Sequence, residues 1–422
     1  MAIREPVYDA AVVGAGIVGL AAAVALARDG YRIALVERSP PERLRGALGF
    51  DLRSVALAPG SVDCLRALGA IDDADLAPVE AIYVWEYDGS GSLRFAGDDA
   101  IARVAENSVL TTGLWDVASD CLDILPQMSV TGLIQRRDTV FVAGPDVDAR
   151  LVIGADGADS IVRQLADTSQ RVEPPYRGGR QRAVATVAQA AKPHGNVAYQ
   201  RFGRSGPVAL LPLPDRADGP ESKSHQTVSV IWTTSEAESQ RLQSMGDEAF
   251  RTALCEETEG VLGDFLAVDR RLSFPVRQTL AADFNPNPRI LVIGDAARTL
   301  HPLAGQGVNV GLEDVRALVA GATHSDLGAR GRWRGFARER RTRSKLVMAS
   351  MRALLEAYCG PHAGNPWMRL ARNVGVRFID ARLGIKAQLV REAMGLGPMA
   401  FSQAMLGGES APPPGSGQLR SG

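Results

Sequence analysis

The chain has 422 residues with 47 Lys and Arg against 48 Asp and Glu, a formal net charge of −1, so no strong field exists to attract nucleic acid or to hold an anionic membrane by charge alone. Its four cysteines, Cys64, Cys121, Cys255 and Cys359, include no CxxC pair, which argues against a cysteine-held metal cluster. Together with an N-terminus lacking a basic-then-apolar leader, this points to a reduced, cytoplasmic protein with room for about two domains plus appendages and a small-molecule ligand.

Residues 8–13 form an apolar, β-branched run suited to a buried strand, and the chain then reads Gly14, Ala15, Gly16, Ile17, Val18, Gly19. Gly14 and Gly16 allow a tight turn with close backbone approach, and Gly19 lets a helix sit against the sheet. The helix is expected over 17–28, stopping near Asp29 and Gly30, with a second strand over 32–36 that ends in Glu37. A pyrophosphate would sit on the helix N-terminus, where free N–H groups and the positive dipole end meet its charge. Glu37 would accept from the adenosine ribose hydroxyls. A rival reading takes the uncharged run 10–27 as a membrane span, but the three glycines split that run and no second apolar segment follows.

A second strand, turn and helix are expected over 151–163. The short polar side chains of that turn, Asp156 among them, can bond backbone groups or a nearby pyrophosphate, and an ordinary strand-to-helix turn is the plain alternative. Residues 181–188, 196–202, 207–212 and 226–233 are strand-length segments separated by Gly/Pro/Asp turns, which predict an antiparallel sheet. Phe202, Leu211, Trp232 and Phe274 are its candidate pocket liners, with plain core as their other reading, and a helix over 247–262 is expected on the sheet's outer side.

Late in the chain, Ile293-Gly294-Asp295-Ala296-Ala297 and Ala304-Gly305-Gln306-Gly307-Val308-Asn309 read with the first fingerprint as two halves of one dinucleotide site, and that pairing points to a flavin. A helix should begin around Val308. Beyond residue 319 the chain is helical and basic, with a run of arginines over 330–343 that reads either as a solvated, salt-bridged face or as a docking surface for a membrane or partner protein. Residues 367–396 have near-helical apolar spacing and could join that surface, while the Gly/Ser/Pro-rich 407–422 cannot bury enough apolar area to order itself.

The fingerprint, GADGADSIVR at 154–163 and GDAARTLHPLAGQGVNVGLEDVRAL at 294–318 stand in the order and spacing of the single-component flavin aromatic hydroxylases, the class that resembles p-hydroxybenzoate hydroxylase. Asp51-Leu52-Arg53, Val84-Trp85-Glu86, residues 104–110, Gln200-Arg201-Phe202 and residues 206–213 narrow the resemblance to the ubiquinone-biosynthesis hydroxylases, over residues 8–406. The resemblance implies FAD, dioxygen as co-substrate, probable use of NAD(P)H, and a flavin hydroperoxide that attacks a prenylated phenol. It gives Asp295 a place at the ribityl or pyrophosphate region and Arg53 a contact with the pyrophosphate or flavin edge. Glu106 or Asn107 lies where the chain turns back to the ribityl, with Asn107 the cofactor candidate. Pro302, Gly305, Gly307 and Asn309 would pass along the isoalloxazine, where Gly305, Gly307 and Gly311 permit close approach. No catalytic residue is assignable beyond His301 and Pro302 as flavin-loop candidates. Arg298 and Glu313 depart from the family pattern; Arg298 could pair a phosphate, and Glu313 reads as a surface helix residue.

The fold expected is α/β, a Rossmann-like FAD-binding domain (1–70, 100–170 and 283–325) with an inserted antiparallel β-sheet substrate domain (71–99 and 171–282), a C-terminal helical region (326–406) and a disordered tail (407–422). Location is cytoplasmic, with peripheral contact at the inner face of the membrane and quinone-biosynthesis complex subunits as further partners. Two other readings stand beside polyprenyl-phenol hydroxylation: a flavin hydroxylase of a soluble aromatic or polyketide, and a catalytically silent FAD-holding subunit of a quinone-biosynthesis complex.

Overall fold

The strand Tyr8–Val13 lies between Ile33–Glu37 and Val147–Gly154 in a seven-stranded sheet, parallel to both, with Val12 facing Leu35 on one side and Ile153 on the other. In the computed structural model, residues 7–87, 92–96, 99–173, 180–203, 206–215, 226–302, 306–323 and 326–359 are described. Parallel strands of this kind are covered on both faces, which is why their sequences are apolar without alternation. The helices Ile17–Arg28, Asn107–Cys121 and Gln306–Gly321 supply one cover, through Leu20, Val24, Leu110, Leu114, Leu312 and Val315. Val140, Val142, Leu280, Phe284 and Met348 supply the other.

The fingerprint helix occupies Ile17–Arg28, as expected, and is buried almost all round, as a helix under a sheet and between two others must be. That burial explains the uncharged run behind the membrane-span reading. The run divides into a strand and a 12-residue helix, and no helix among the described residues is long and apolar enough to cross a membrane.

The inserted sheet has eight strands, running Phe265–Val268, Gln181–Ala190, Thr227–Ser235, Pro207–Pro212, Val197–Phe202, Ala81–Glu86 and Ser92–Ala96, with Leu272–Val276 also paired to Gln181–Ala190. All its pairs are antiparallel except Val197–Phe202 with Ala81–Glu86, which is parallel because the intervening chain crosses back through the other sheet. Sheet membership changes at Glu80, since Ala77–Val79 pairs with Ala102–Glu106 in a separate three-stranded sheet. Two helices, Glu236–Ser244 and Asp247–Glu257, cover one face by packing Leu242, Phe250 and Leu254 on Val184, Val208, Val230 and Trp232. The second was expected; the first, capped by the Ser235 hydroxyl accepting from Glu238 N–H, was not. On the opposite face Val187, Ala198 and Leu211 meet Phe50, Leu52, Val79 and Val104, an apolar layer between the two halves of the molecule.

Strand alternation gives two of the candidate liners their plain-core reading. Trp232 points into the helix-covered core, whereas its neighbour Ile231 faces the layer. Phe202 stacks on Tyr358 at 4.6 Å and is taken up by the C-terminal helix. Leu211 does line the layer, and Phe274 is half-buried.

That C-terminal helix, Arg334–Cys359, buries Ala337, Val347, Met348, Met351 and Leu355. Its arginines are not one solvated face, because Arg340 is 2% exposed and Arg343 pairs with Glu313. A docking surface built on the run 330–343 thus loses two of its cations to internal pairs. The expectations for 360–406, including 367–396, and for 407–422 lie outside the described residues.

Candidate functional site

The three fingerprint glycines have different tasks. Gly14 is at φ +105, and a Cβ there would lie 2.6 Å from the Ala155 carbonyl oxygen. A Cβ on Gly19 would lie 2.0 Å from the Gly14 oxygen, while one on Gly16 would meet nothing within 4 Å. Gly14 and Gly19 are therefore required by the protein's own packing, and the glycine that opens outward is Gly16. Of the two glycines expected to allow close approach, Gly16 has open space before it and Gly14 is closed against Ala155.

Gly16 and Ala15 open into a cavity of about 250 Å³, whose wall continues through Glu37 and Ser39, the loop residues Pro41, Glu42 and Leu44, and Arg53, Asn107, Ser108 and Thr111. The fingerprint helix has no side-chain cap at Gly16 and no acid in its first turn, and the same holds for the helix Asn107–Cys121 after Glu106. Two helix N-termini thus face one cavity; the second has its Asn107 N–H on the Arg53 carbonyl and its Ser108 N–H on Asp51, so the end at Gly16 is the one suited to an anion. Arg53 adds a cation from the wall, its side chain 48% exposed. Glu37 accepts N–H bonds from Ala15 at 2.5 Å, Arg38 at 2.8 Å and Ser39 at 3.1 Å, so its carboxylate stands directly over the turn.

The segment 51–53 is ordered by two buried acids. Asp51 accepts from the Arg53 N–H at 3.0 Å and the Ser108 N–H at 2.9 Å, and its own N–H donates to Glu106 at 2.5 Å. Of the pair left open at 106–107, Asn107 lines the cavity and Glu106 turns inward. Asp51 was quoted only as part of a motif, although a lone acid ahead of an arginine is the available signal.

In the second landmark the backbone alternative is the one adopted. Asp156 accepts from the Ser160 hydroxyl and from Ile161 N–H at 2.7 Å and Val162 N–H at 3.1 Å, so its carboxylate is spent on starting the helix Ile161–Leu165. Arg163, unassigned from sequence, reaches across to donate to the Ala296 and Ala158 carbonyls, each at 2.7 Å. It clamps this landmark to the late one.

In the late landmark Asp295 is exposed to solvent, with the Arg298 cation as the opposite charge near it. Arg298 itself is not available to a phosphate, which corrects that expectation. It is 2% exposed, ion-paired with Asp314, and 3.4 Å from the Gly294 carbonyl. Asp314 also accepts the Gly294 N–H at 3.1 Å and Arg340 Nε at 2.7 Å. Glu313 is likewise no surface residue: at 9% exposure it pairs with Arg340 at 2.8 Å and Arg343 at 3.2 Å. The two departures from the family pattern are thus members of one internal ionic network.

Asn309 spends its amide on the Ala58 N–H and the Ala56 carbonyl, both at 2.8 Å, clipping the helix Gln306–Gly321 to the strand Ser54–Leu57. That helix starts two residues earlier than expected. Gly311 packs against Val18, which a Cβ would approach to 2.4 Å, whereas a Cβ on Gly307 would meet nothing within 4 Å. Gly307 keeps its place as an open position and Gly311 belongs to helix packing. Gly305 lies outside the described residues. Pro302 is half-buried. His301 is fully buried, its Nε2 3.4 Å from Gln181 Oε1, and burial lowers its pKa to about 4.

These residues fit a dinucleotide: a glycine with open space in front of it, a helix end without a side-chain cap for a pyrophosphate, and an acid at the end of the second strand for hydroxyl donors. With the inserted sheet beside them, the fold and site define an FAD-dependent monooxygenase. Residues 129–348 match the family model described as FAD binding domain, and residues 9–49 that of FAD dependent oxidoreductase. The chain is 28% identical over 408 residues to 3-demethoxyubiquinol 3-hydroxylase of Escherichia coli K12, covering 92% of this chain and 98% of the relative. It is 30% identical over 416 residues to ubiquinone hydroxylase UbiL of Rhodospirillum rubrum, covering 93% and 92%. The solved structure of p-nitrophenol 4-monooxygenase from Pseudomonas putida superposes with a TM-score of 0.70 at 18% identity, over 93% of this chain and 99% of that one, a likeness of fold. The chain belongs to the family of FAD-dependent ubiquinone hydroxylases.

Proposed function

We propose that this protein hydroxylates the aromatic ring of a polyprenylated phenol in ubiquinone biosynthesis, with dioxygen as co-substrate and NAD(P)H as electron donor. What carries the reading is the similarity to ubiquinone hydroxylases along nearly the whole chain, through the inserted sheet as well as the cofactor sheet. Bound FAD supplies the redox chemistry that activates oxygen. The chain's own part is binding and exclusion of water: Gly16 and the end of the fingerprint helix receive the pyrophosphate, with Arg53 beside them, Glu37 receives the ribose, and Asp295 the ribityl region. The layer of Phe50, Leu52, Val187, Ala198 and Leu211 is buried and packs the inserted sheet onto the cofactor half. His301 is neutral at pH 7 and takes no imidazolium role.

The silent-subunit reading rested on Arg298 and Glu313, and both residues have a structural occupation in the Asp314–Arg340 network. The remaining contest is between a prenylated and a soluble phenol. Each buried methylene contributes up to about 0.8 kcal/mol, so a phenol with one or two isoprene units should bind tighter than the same phenol with none. Dioxygen uptake with hydrogen peroxide measured alongside decides it. Equal or better coupling with the unprenylated phenol overturns the reading.

A further inference from the structure

The loop between the second strand and Asp51 belongs to the cofactor side by sequence, and its residues Ser39, Pro41, Glu42 and Leu44 form the outer wall of the cavity. Its far end is tied elsewhere. Gly46 N–H donates to the Phe50 carbonyl at 2.7 Å and Gly49, at φ +85, donates to the Gly46 carbonyl at 3.1 Å, closing a tight turn. Into that turn reaches Asp269 of the inserted sheet, 221 positions away, accepting the Leu48 N–H at 2.9 Å. Asp269 is 3% exposed, and its other oxygen accepts the Arg270 N–H at 2.7 Å. Its backbone is fixed to the sheet through its N–H on the Val187 carbonyl and its carbonyl on the Thr186 hydroxyl, both at 2.9 Å.

The contact is fitted from both sides. A Cβ on Gly46 would lie 2.1 Å from Asp269 Oδ2 and 2.6 Å from its Cγ, so only glycine lets the turn close on the carboxylate. Immediately beyond the turn, Phe50 and Leu52 enter the apolar layer against Val187 and Leu211. One short segment therefore carries the cavity wall at one end and a side of the apolar layer at the other. A buried carboxylate ties it to the inserted sheet.

We propose that Asp269 is a positioning residue for the cofactor: through the Gly46–Leu48 turn the inserted sheet holds the loop 38–50 against the cavity, so that flavin retention depends on a side chain that touches no flavin. The inference rests on the flavin reading of the cavity, and it leaves the identity of the hydroxylated phenol aside.

The test is the rate of FAD release from the purified holoenzyme, followed by the rise of free-flavin fluorescence after dilution, beside the unfolding midpoint of each variant. Asp269→Ala should speed release about tenfold, the equivalent of one buried hydrogen bond left unmade. Asp269→Asn keeps one acceptor for the Leu48 N–H while turning its amide NH2 toward the Arg270 N–H, and should speed release less than Asp269→Ala. Gly46→Ala should speed release as Asp269→Ala does, and in the Asp269→Ala background it should add nothing, because the carboxylate it collides with is gone. Wild-type release from Asp269→Ala, fully additive single variants, or an Asp269→Asn that loses FAD as fast as Asp269→Ala overturns the proposal. Should Asp269→Ala fail to fold, Asp269→Asn against Gly46→Ala still decides, since the proposal requires them to differ. A wild-type protein that takes up no FAD at all defeats the flavin reading itself, an outcome distinct from each of these.

Discussion

Arg298 and Asp314, 16 residues apart, form an ion pair in which the two side chains are 1% and 0% exposed. Asp314 is the hub, because the same carboxylate takes the Gly294 N–H and Arg340 Nε. It thereby joins the late flavin motif, the helix that follows it and the C-terminal helix. Removing one partner of a buried pair leaves a stranded charge, which costs about 3–5 kcal/mol. Asp314→Ala strands Arg298, leaves Arg340 with Glu313 alone, and should lose stability in that range by urea unfolding. Arg298→Met leaves Asp314 paired with Arg340 and should lose clearly less. Equal losses would show that Asp314 is not the hub.

Gly14 and Gly16 should separate folding from binding. Gly14→Val places a branched side chain at φ +105 against the Ala155 backbone and should give little soluble, folded protein. Gly16→Val meets open space within the protein, so its far-UV circular dichroism should match wild type while FAD is lost on gel filtration. If Gly16→Val retains FAD, the pyrophosphate does not pass this turn.

Glu37→Ala should weaken FAD by about tenfold to a hundredfold, the equivalent of 1–3 kcal/mol from lost hydrogen bonds. Titration of the deflavinated protein by flavin fluorescence measures it. An unchanged dissociation constant would mean that the carboxylate serves only the Ala15, Arg38 and Ser39 N–H groups.

His301 should make the protein acid-sensitive. Its pKa falls from 6.5 to about 4 on burial, so between those values the unfolded chain binds a proton that the folded one does not. The corresponding stability is complete above pH 6.5, declines as pH falls through the window and is gone below pH 4. The shift corresponds to roughly 3 kcal/mol. Urea midpoints measured from pH 7 to pH 4 should fall more steeply for wild type than for His301→Phe, and parallel curves would place the proton elsewhere.

The features legible without a structure are those whose meaning is local. The run 8–13, the glycines at 14, 16 and 19, and Glu37 lie within one strand, turn, helix and strand, and their backbone demands follow from short-range sterics and hydrogen bonding. The inserted strands were legible for the same reason, as period-2 segments bounded by turn residues. Tertiary structure decided what depends on a distant partner. Whether Gly14 or Gly16 faces the cavity turns on Ala155, which packs beneath one and not the other. Arg298 and Glu313 read as a phosphate ligand and a surface residue because their partners, Asp314 for the first and Arg340 and Arg343 for the second, lie on helices whose docking local pattern cannot give. Trp232 and Ile231 are equally apolar neighbours, and only the sheet's position between its two covering layers sends one into the helical core and the other into the layer against Phe50 and Leu52. Local sterics are written in adjacent residues, whereas burial and charge pairing are properties of which surfaces meet.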